Sequence, residues 1–473
     1  MILKQPVNIT FFLIMCCSVL LLNSCSSNIH ISPPQLQGGR EFLVTEPVFN
    51  DRVYIYEAGM EHENSVVLIP GVGDDGINDW GYLIPELAKQ YHVVAFDLPG
   101  FGRSTKQNVL YSPANYTAFV KWAASQYVKG KFILIGHSLG GAVALSYAAA
   151  YPNDLQKLIL VDVFGVLHRN VLTGYMVQIK SGQWRSGLLA RLSIRPVHDL
   201  NDFLRSMFDN LELQQPAIEL VTAINSPAFR KLVLGSDSKK IAALALVLED
   251  YSQVLGRVTI PAFILWGDKD TVAPLRTGKV LAAQLANAQL EIIQESGHVP
   301  MLEQKEKFNQ IVLKALSSNP VPKRSAIHVQ QQPVITGKLG RCNNQDGIMF
   351  NGFYENIEIV NCQHVRIVDV TASMISISGS EVMIENSLIR SNDVSLRVIN
   401  SELDLTNVYI EADVAIETSD SRLDLAGVKL VGRKFAVQAK DESLLLFSVS
   451  HAESPYTSGY LHGLRRVSDD KPL

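Results

Sequence analysis

The sequence has no run of about 20 consecutive apolar residues, the length a helix needs to cross a bilayer. Its N-terminal apolar stretch, Ile9 to Leu22, is shorter and is interrupted by Thr10 and Ser18. There is no excess of charge of one sign: 42 Lys and Arg face 46 Asp and Glu, and the net charge of −4 gives no electrostatic reason to expect nucleic acid as a partner. No Cys/His cluster of zinc spacing and no phosphate-cradling glycine loop occurs, so neither a metal nor another cofactor is expected. Cysteine is scarce, with five in 473 residues. What is present suits a folded chain: 47% hydrophobic and 19% charged residues. The length exceeds one ordinary core and implies two or three domains.

The first 24 residues have the character of a targeting segment. Lys4 precedes an apolar core of roughly fourteen residues, a length that suits a signal peptide. Leu22-Asn23-Ser24-Cys25 resembles a bacterial lipobox. That resemblance implies a signal peptide over 1–24, a lipid carried by Cys25, and a tether over 25–40. The location it implies is the bacterial cell envelope, at the periplasmic face of the outer membrane or exposed on it. An ordinary cleaved signal and an uncleaved anchor are the alternatives. Cys16 and Cys17 leave with the signal, so Cys342 and Cys362 remain as an even pair in an oxidising compartment, a disulfide candidate.

From 41 to 317, short β-branched apolar runs alternate with amphipathic segments: SVVLIPG, HVVAFDLPG, KFILIGHS, LQKLILVDV, AFILWGD and LEIIQESGH. Fully apolar strands separated by helical stretches predict an α/β domain with a buried, mostly parallel sheet. Between about 164 and 258 the rhythm turns helical, which predicts an inserted helical cap. Residues 318–333, rich in Pro, Ser and Gln, predict a linker. Beyond it SEVMIENSLI, SELDLTNVYI and SRLDLAGVKL repeat at a step of about 20 residues with alternating apolar positions, which predicts an all-β solenoid over 334–473. This segment resembles the right-handed parallel β-helix of pectate-lyase-like proteins. Cys342 and Cys362 are then one coil apart, within reach of a disulfide across adjacent rungs. An irregular β-sandwich is the alternative.

Gly136-His137-Ser138-Leu139-Gly140 is a G-x-S-x-G elbow with an apolar strand before it and a small-residue helix after it. A serine hydroxyl is a poor nucleophile until a base takes its proton, and the base needs an orienting acid. Asp270 follows one later strand and His298 the next, where carboxyl ends of parallel strands form a ligand crevice. Asp268 is the competing acid.

With LIPGVGDDG, DLPGFGRS, GHSLGG and WGDKDTVAP followed by GHVPMLE, residues 41–317 resemble the α/β-hydrolase superfamily, in the group with a helical cap. The resemblance implies Ser138 as nucleophile, Asp270 as acid, by its Gly-x-x-Asp spacing from Gly267, and His298 as base. It implies an oxyanion hole from the backbone N–H groups of Leu139 and Val72. Pro70 stands where many relatives have His, a change that leaves a backbone donor in place. His137 is read as packing or loop-orienting, Glu303 as a support of the histidine loop, and Asp97 with Gly100, Gly102 and Arg103 as a structural turn. Trp184, Met207, Phe208 and Phe229 are either pocket lining or cap core.

Ser rather than Asp at the elbow excludes the dehalogenase and epoxide-hydrolase branches of that group. Hydrolysis of a small-molecule or lipid carboxylic ester is the leading expectation, with lactone or carbon–carbon hydrolysis on the same residues as the alternative. A different class of function would be an envelope scaffold whose solenoid binds a polysaccharide or envelope protein.

Overall fold

The computed structural model describes residues 36, 38–167, 222–321 and 337–473. The signal segment with Cys25, most of the tether and linker, and the cap residues 168–221, including Trp184, Met207 and Phe208, lie outside the described residues.

Residues 40–293 supply β1 (Arg40–Glu46), β2 (Asp51–Ala58), β3 (Ser65–Ile69), β4 (His92–Phe96), β5 (Phe132–His137), β6 (Leu155–Val161), β7 (Ala262–Gly267) and β8 (Ala288–Ile293). They form one sheet in the order β1-β2-β4-β3-β5-β6-β7-β8. β1 and β2 pair antiparallel, as do β2 and β4, and the other pairs are parallel. The early antiparallel strands are the part of the sheet that the apolar-run pattern leaves out, because β1 is a half-exposed edge.

The period of two in each strand sends alternate residues to opposite faces. Val67, Val94, Leu134, Leu160 and Ile264 enter a core on one face; Val66, Val93, Ile135, Ile159 and Leu265 enter a core on the other. The first face is covered by helices α1 (Pro113–Tyr127) and α2 (Leu139–Ala150) and by α3 (Ser238–Val247), which lies between β6 and β7. Ser112 starts α1 by accepting from Asn115 N–H, and Asp237 starts α3 by accepting from Lys239 and Lys240 N–H. Phe229, on a short helix before α3, packs half-buried against this core. α4 (Leu275–Gln284) joins β7 to β8, and α5 (Lys305–Ser317) closes the second face.

The C-terminal unit is a parallel β-solenoid. Glu381–Glu385, Glu402–Thr406 and Arg422–Ala426 stack in register with the strand that begins at Ser443. Val382, Leu403, Leu423 and Leu445 thereby form one buried apolar column. Corners need a left-handed backbone, and Gly379, Asn400 and Asp420 supply it at φ 58°, 45° and 47°. The hydroxyls of Ser380, Ser401, Ser421 and Ser443 form a ladder there, each accepting an N–H from the coil before at 2.9–3.2 Å. Cys342 and Cys362 are joined by a disulfide with Cα atoms 6.5 Å apart. At the far end Ser458–Val467 turns back and pairs antiparallel with the last parallel strand.

The solenoid docks on α4. Arg276 inserts its guanidinium across two rungs: Nε donates to Thr406 Oγ1 at 2.7 Å, and the terminal nitrogens donate to Asp424 Oδ2 at 2.9 Å and to the Leu405 carbonyl at 2.6 Å. Lys279 pairs with Glu385 at 2.6 Å, and Asn407 donates to the Lys279 carbonyl at 3.0 Å. The Arg276 and Asp424 side chains are 13% and 14% exposed, so truncating one strands the other out of water. Arg276→Ala is expected to destabilise the chain by about 3 kcal/mol, read by denaturant unfolding. Arg276→Lys is expected to restore little of this, because an ammonium lacks the planar fork that spans four acceptors, the Asp424 carbonyl at 3.1 Å included.

Candidate active site

Ser138 sits between β5 and α2 at φ 53° and ψ −119°. A non-glycine residue held there costs about 1–3 kcal/mol and persists only where its surroundings enforce it. The enforcement is steric. A Cβ on Gly136 would lie 2.3 Å from the Gly140 carbonyl oxygen, and one on Gly140 would lie 2.4 Å from the Ile69 carbonyl oxygen. Glycine at both positions lets α2 leave close over the strand ends, and the Ser138 N–H is tied to the Val161 carbonyl at 3.0 Å.

His298 Nε2 lies 3.0 Å from Ser138 Oγ, and His298 Nδ1 lies 2.7 Å from Asp270 Oδ2. One tautomer satisfies both contacts: the seryl hydroxyl donates to Nε2 and Nδ1–H donates to Asp270. Asp270 Oδ1 accepts Val272 and Ala273 N–H at 2.8 and 2.9 Å, and its side chain is fully buried. Asp268 faces elsewhere, accepting the Ser296 N–H at 3.2 Å. Of the two acids weighed in the sequence, Asp270 is the one brought to the imidazole.

Two further groups hold the histidine turn. Glu303 accepts N–H from Gly297, from the Ser296 hydroxyl at 3.3 Å and from Val299 N–H at 3.4 Å. His137 is buried, and burial above all lowers its pKa to about 3, so it is a neutral imidazole that donates Nε2–H to the His298 carbonyl at 2.7 Å. It lies ring to ring with His298 at 5.0 Å and edge-on to Trp80 at 6.2 Å. With its proton spent on that carbonyl, it holds the loop.

Leu139 is buried at the first position of α2, where N–H groups have no partner within the helix. Val72 lies in the loop after β3 and is 40% exposed. A Cβ on Gly71 would come 3.1 Å from Ser138 Cβ, so this loop passes directly beside the elbow. Asp97 anchors it: its carboxylate accepts Ile77 N–H at 2.8 Å, Arg103 N–H at 2.8 Å and Arg103 Nε–H at 3.1 Å. Gly76 and Gly102, both at positive φ, pack onto that carboxylate, where a Cβ would come within 2.4 Å.

Asp162 was missed by sequence reasoning. It directly follows β6, between Val161 and Val163, fully buried at φ 43°, and accepts Gly267 N–H at 2.9 Å. An acidic residue closing an apolar strand at the crevice edge was the available signal. Among the described residues no group of three or more His, Cys, Asp or Glu side chains converges as a metal site.

Residues 64–305 match the family model described as alpha/beta hydrolase fold, and the chain belongs to that family. It is a hydrolase by that membership and by its relatives. It is 28% identical over 275 residues to an uncharacterized protein of Mycobacterium tuberculosis, covering 52% of this chain and 74% of the relative. It is 26% identical over 241 residues to lipase 3 of a Moraxella species, covering 50% and 72%. It is 24% identical over 267 residues to 2-hydroxy-6-oxononadienedioate/2-hydroxy-6-oxononatrienedioate hydrolase 1 of Pseudomonas putida, covering 54% and 89%.

Proposed function

We propose that this chain is a serine hydrolase of carboxylic esters, of esterase or lipase type, working through an acyl-enzyme. The observation that carries the reading is the continuous Ser138–His298–Asp270 hydrogen-bond chain, 3.0 and 2.7 Å long. Ser138 Oγ attacks the ester carbonyl as its proton passes to His298 Nε2, and Asp270 stabilises the imidazolium through Nδ1–H. Negative charge on the carbonyl oxygen is received by the N–H groups of Leu139 and Val72. The imidazolium then protonates the departing alcohol. Water, deprotonated by the same Nε2, releases the acid.

The test is a panel of nitrophenyl esters of graded acyl length beside a vinylogous 1,5-diketone acid, the bond type of the carbon–carbon reading that the Pseudomonas relative favours. Ester turnover with the diketone acid intact supports the proposal. Turnover of the diketone acid alone replaces it.

The proposal includes a lipid anchor at Cys25 on the bacterial cell envelope and a solenoid that meets a polysaccharide or envelope protein. Its support is the lipobox-like LNSC and the separate C-terminal unit. Incorporation of a fatty-acid analogue is expected in wild type and not in Cys25→Ser; label that persists in the variant refutes the anchor.

A further inference from the structure

Behind the Ser138–His298–Asp270 chain lies a second carboxyl group that the acyl-transfer scheme does not use. Asp162 stands at the carboxyl end of β6, next to β7, whose end carries the Asp270 loop. Its residue is completely buried. Oδ1 accepts the Gly267 N–H at 2.9 Å, and Gly267 is three residues before Asp270. Oδ2 is also buried and, among the described residues, meets no donor. The side chain its carboxyl group interacts with most closely is the carboxylate of Asp270, an acceptor like itself.

Two carboxylate oxygens buried against each other with no donor between them are unstable unless one carries a proton. The choice of which one is dictated by partners. Asp270 already accepts three donors, Val272 N–H, Ala273 N–H and His298 Nδ1, all of which favour its charged form. Asp162 accepts one. We infer that Asp162 is a neutral carboxylic acid whose Oδ2–H donates to Asp270, and that it is a positioning residue holding the triad acid against His298.

The remaining surroundings agree. The titratable groups that act on Asp162 are Asp270 on the loop after β7 and, through its charge, Glu303 at the end of the short helix Pro300–Glu303 before α5, both of which raise its proton affinity. Burial contributes most, and the Asp162 carboxyl is held well above the usual carboxylate range. The linkage follows in sign. The unfolded chain releases this proton near pH 4 while the folded chain keeps it. The stabilisation it contributes is therefore full below that pH and lost as the pH rises through the folded value.

The inference rests on the triad reading, and the experiment separates the two. Asp162→Gly suits the left-handed backbone and removes both hydrogen bonds; it is expected to lower kcat/KM about 100-fold, the scale of a misplaced catalytic group. Asp162→Asn replaces O–H by N–H and keeps the acceptor for Gly267. It is expected to recover turnover to within about tenfold of wild type and to remove the loss of stability with rising pH. Infrared difference spectra of wild type against Asp162→Asn at neutral pH are expected to show one protonated-carboxyl C=O stretch, in the Ser138→Ala background as well. Absence of that band, or an Asn variant no better than the Gly variant, overturns the inference. An active Ser138→Ala that still shows the band overturns the triad reading and leaves the proton on Asp162.

Discussion

Ser138→Ala and His298→Ala are each expected to lower turnover about a million-fold, and the double variant is expected to lose little more. The reason is the geometry of the pair. His298 Nε2 stands 3.0 Å from Ser138 Oγ, so the imidazole has a proton to take only if the hydroxyl is present. The hydroxyl is a competent nucleophile only if the imidazole is. Removing either leaves only what the oxyanion donors and substrate binding supply. Single-turnover rates on the best ester of the panel measure this, with a fluorophosphonate label expected on wild type and absent from Ser138→Ala. Losses that add in the double variant would show the two side chains working apart and would overturn the mechanism.

The second large effect separates the two acids. Asp270→Asn is expected to reduce kcat/KM about ten-thousand-fold, through the tautomer and not through the fold. Val272 and Ala273 N–H both point at the Oδ1 position, at 2.8 and 2.9 Å, so the amide oxygen of an asparagine must settle there. Its NH2 then faces His298 Nδ1, which has to become an acceptor. The ring proton moves to Nε2, the atom that must receive the seryl proton, and the base is lost. Asp268→Asn changes an acceptor for Ser296 N–H and is expected to alter kcat/KM by about twofold, the scale of an ordinary surface substitution. Equal losses in the two variants would refute the assignment of the acid.

The elements that the sequence made legible are those with a local signature. The elbow is readable because glycine, serine and glycine fall between an apolar strand and an alanine-rich helix, and the structure explains the glycines by carbonyl oxygens 2.3 and 2.4 Å from any added Cβ. The solenoid is readable because its side chains repeat at the coil length and its corners call for Asn, Asp or Gly. Groups that matter through a distant partner were not readable. Asp162 looks like one acidic residue at the end of a hydrophobic strand, and only folding reveals that its carboxyl group is fully buried and interacts with that of Asp270. Arg276 and Asp424 are 148 residues apart, and neither carries a sign of the other. The Pro- and Ser-rich stretch between the two units reads as a linker and gives no sign of the buried guanidinium that spans two rungs.

That junction changes how the solenoid should come apart. An array of stacked repeats ordinarily frays from its ends, each coil held only by its neighbours. Here the first coils are fastened by the Cys342–Cys362 bond, the last strand is sealed by the returning Ser458–Val467, and the rungs of Glu385, Thr406 and Asp424 between them are fastened to α4. The array is thus restrained at both ends and in the middle. Amide exchange in Glu402–Thr406 and Arg422–Ala426 is therefore expected to report the stability of the hydrolase sheet as much as that of the solenoid, with the two halves melting as one cooperative unit.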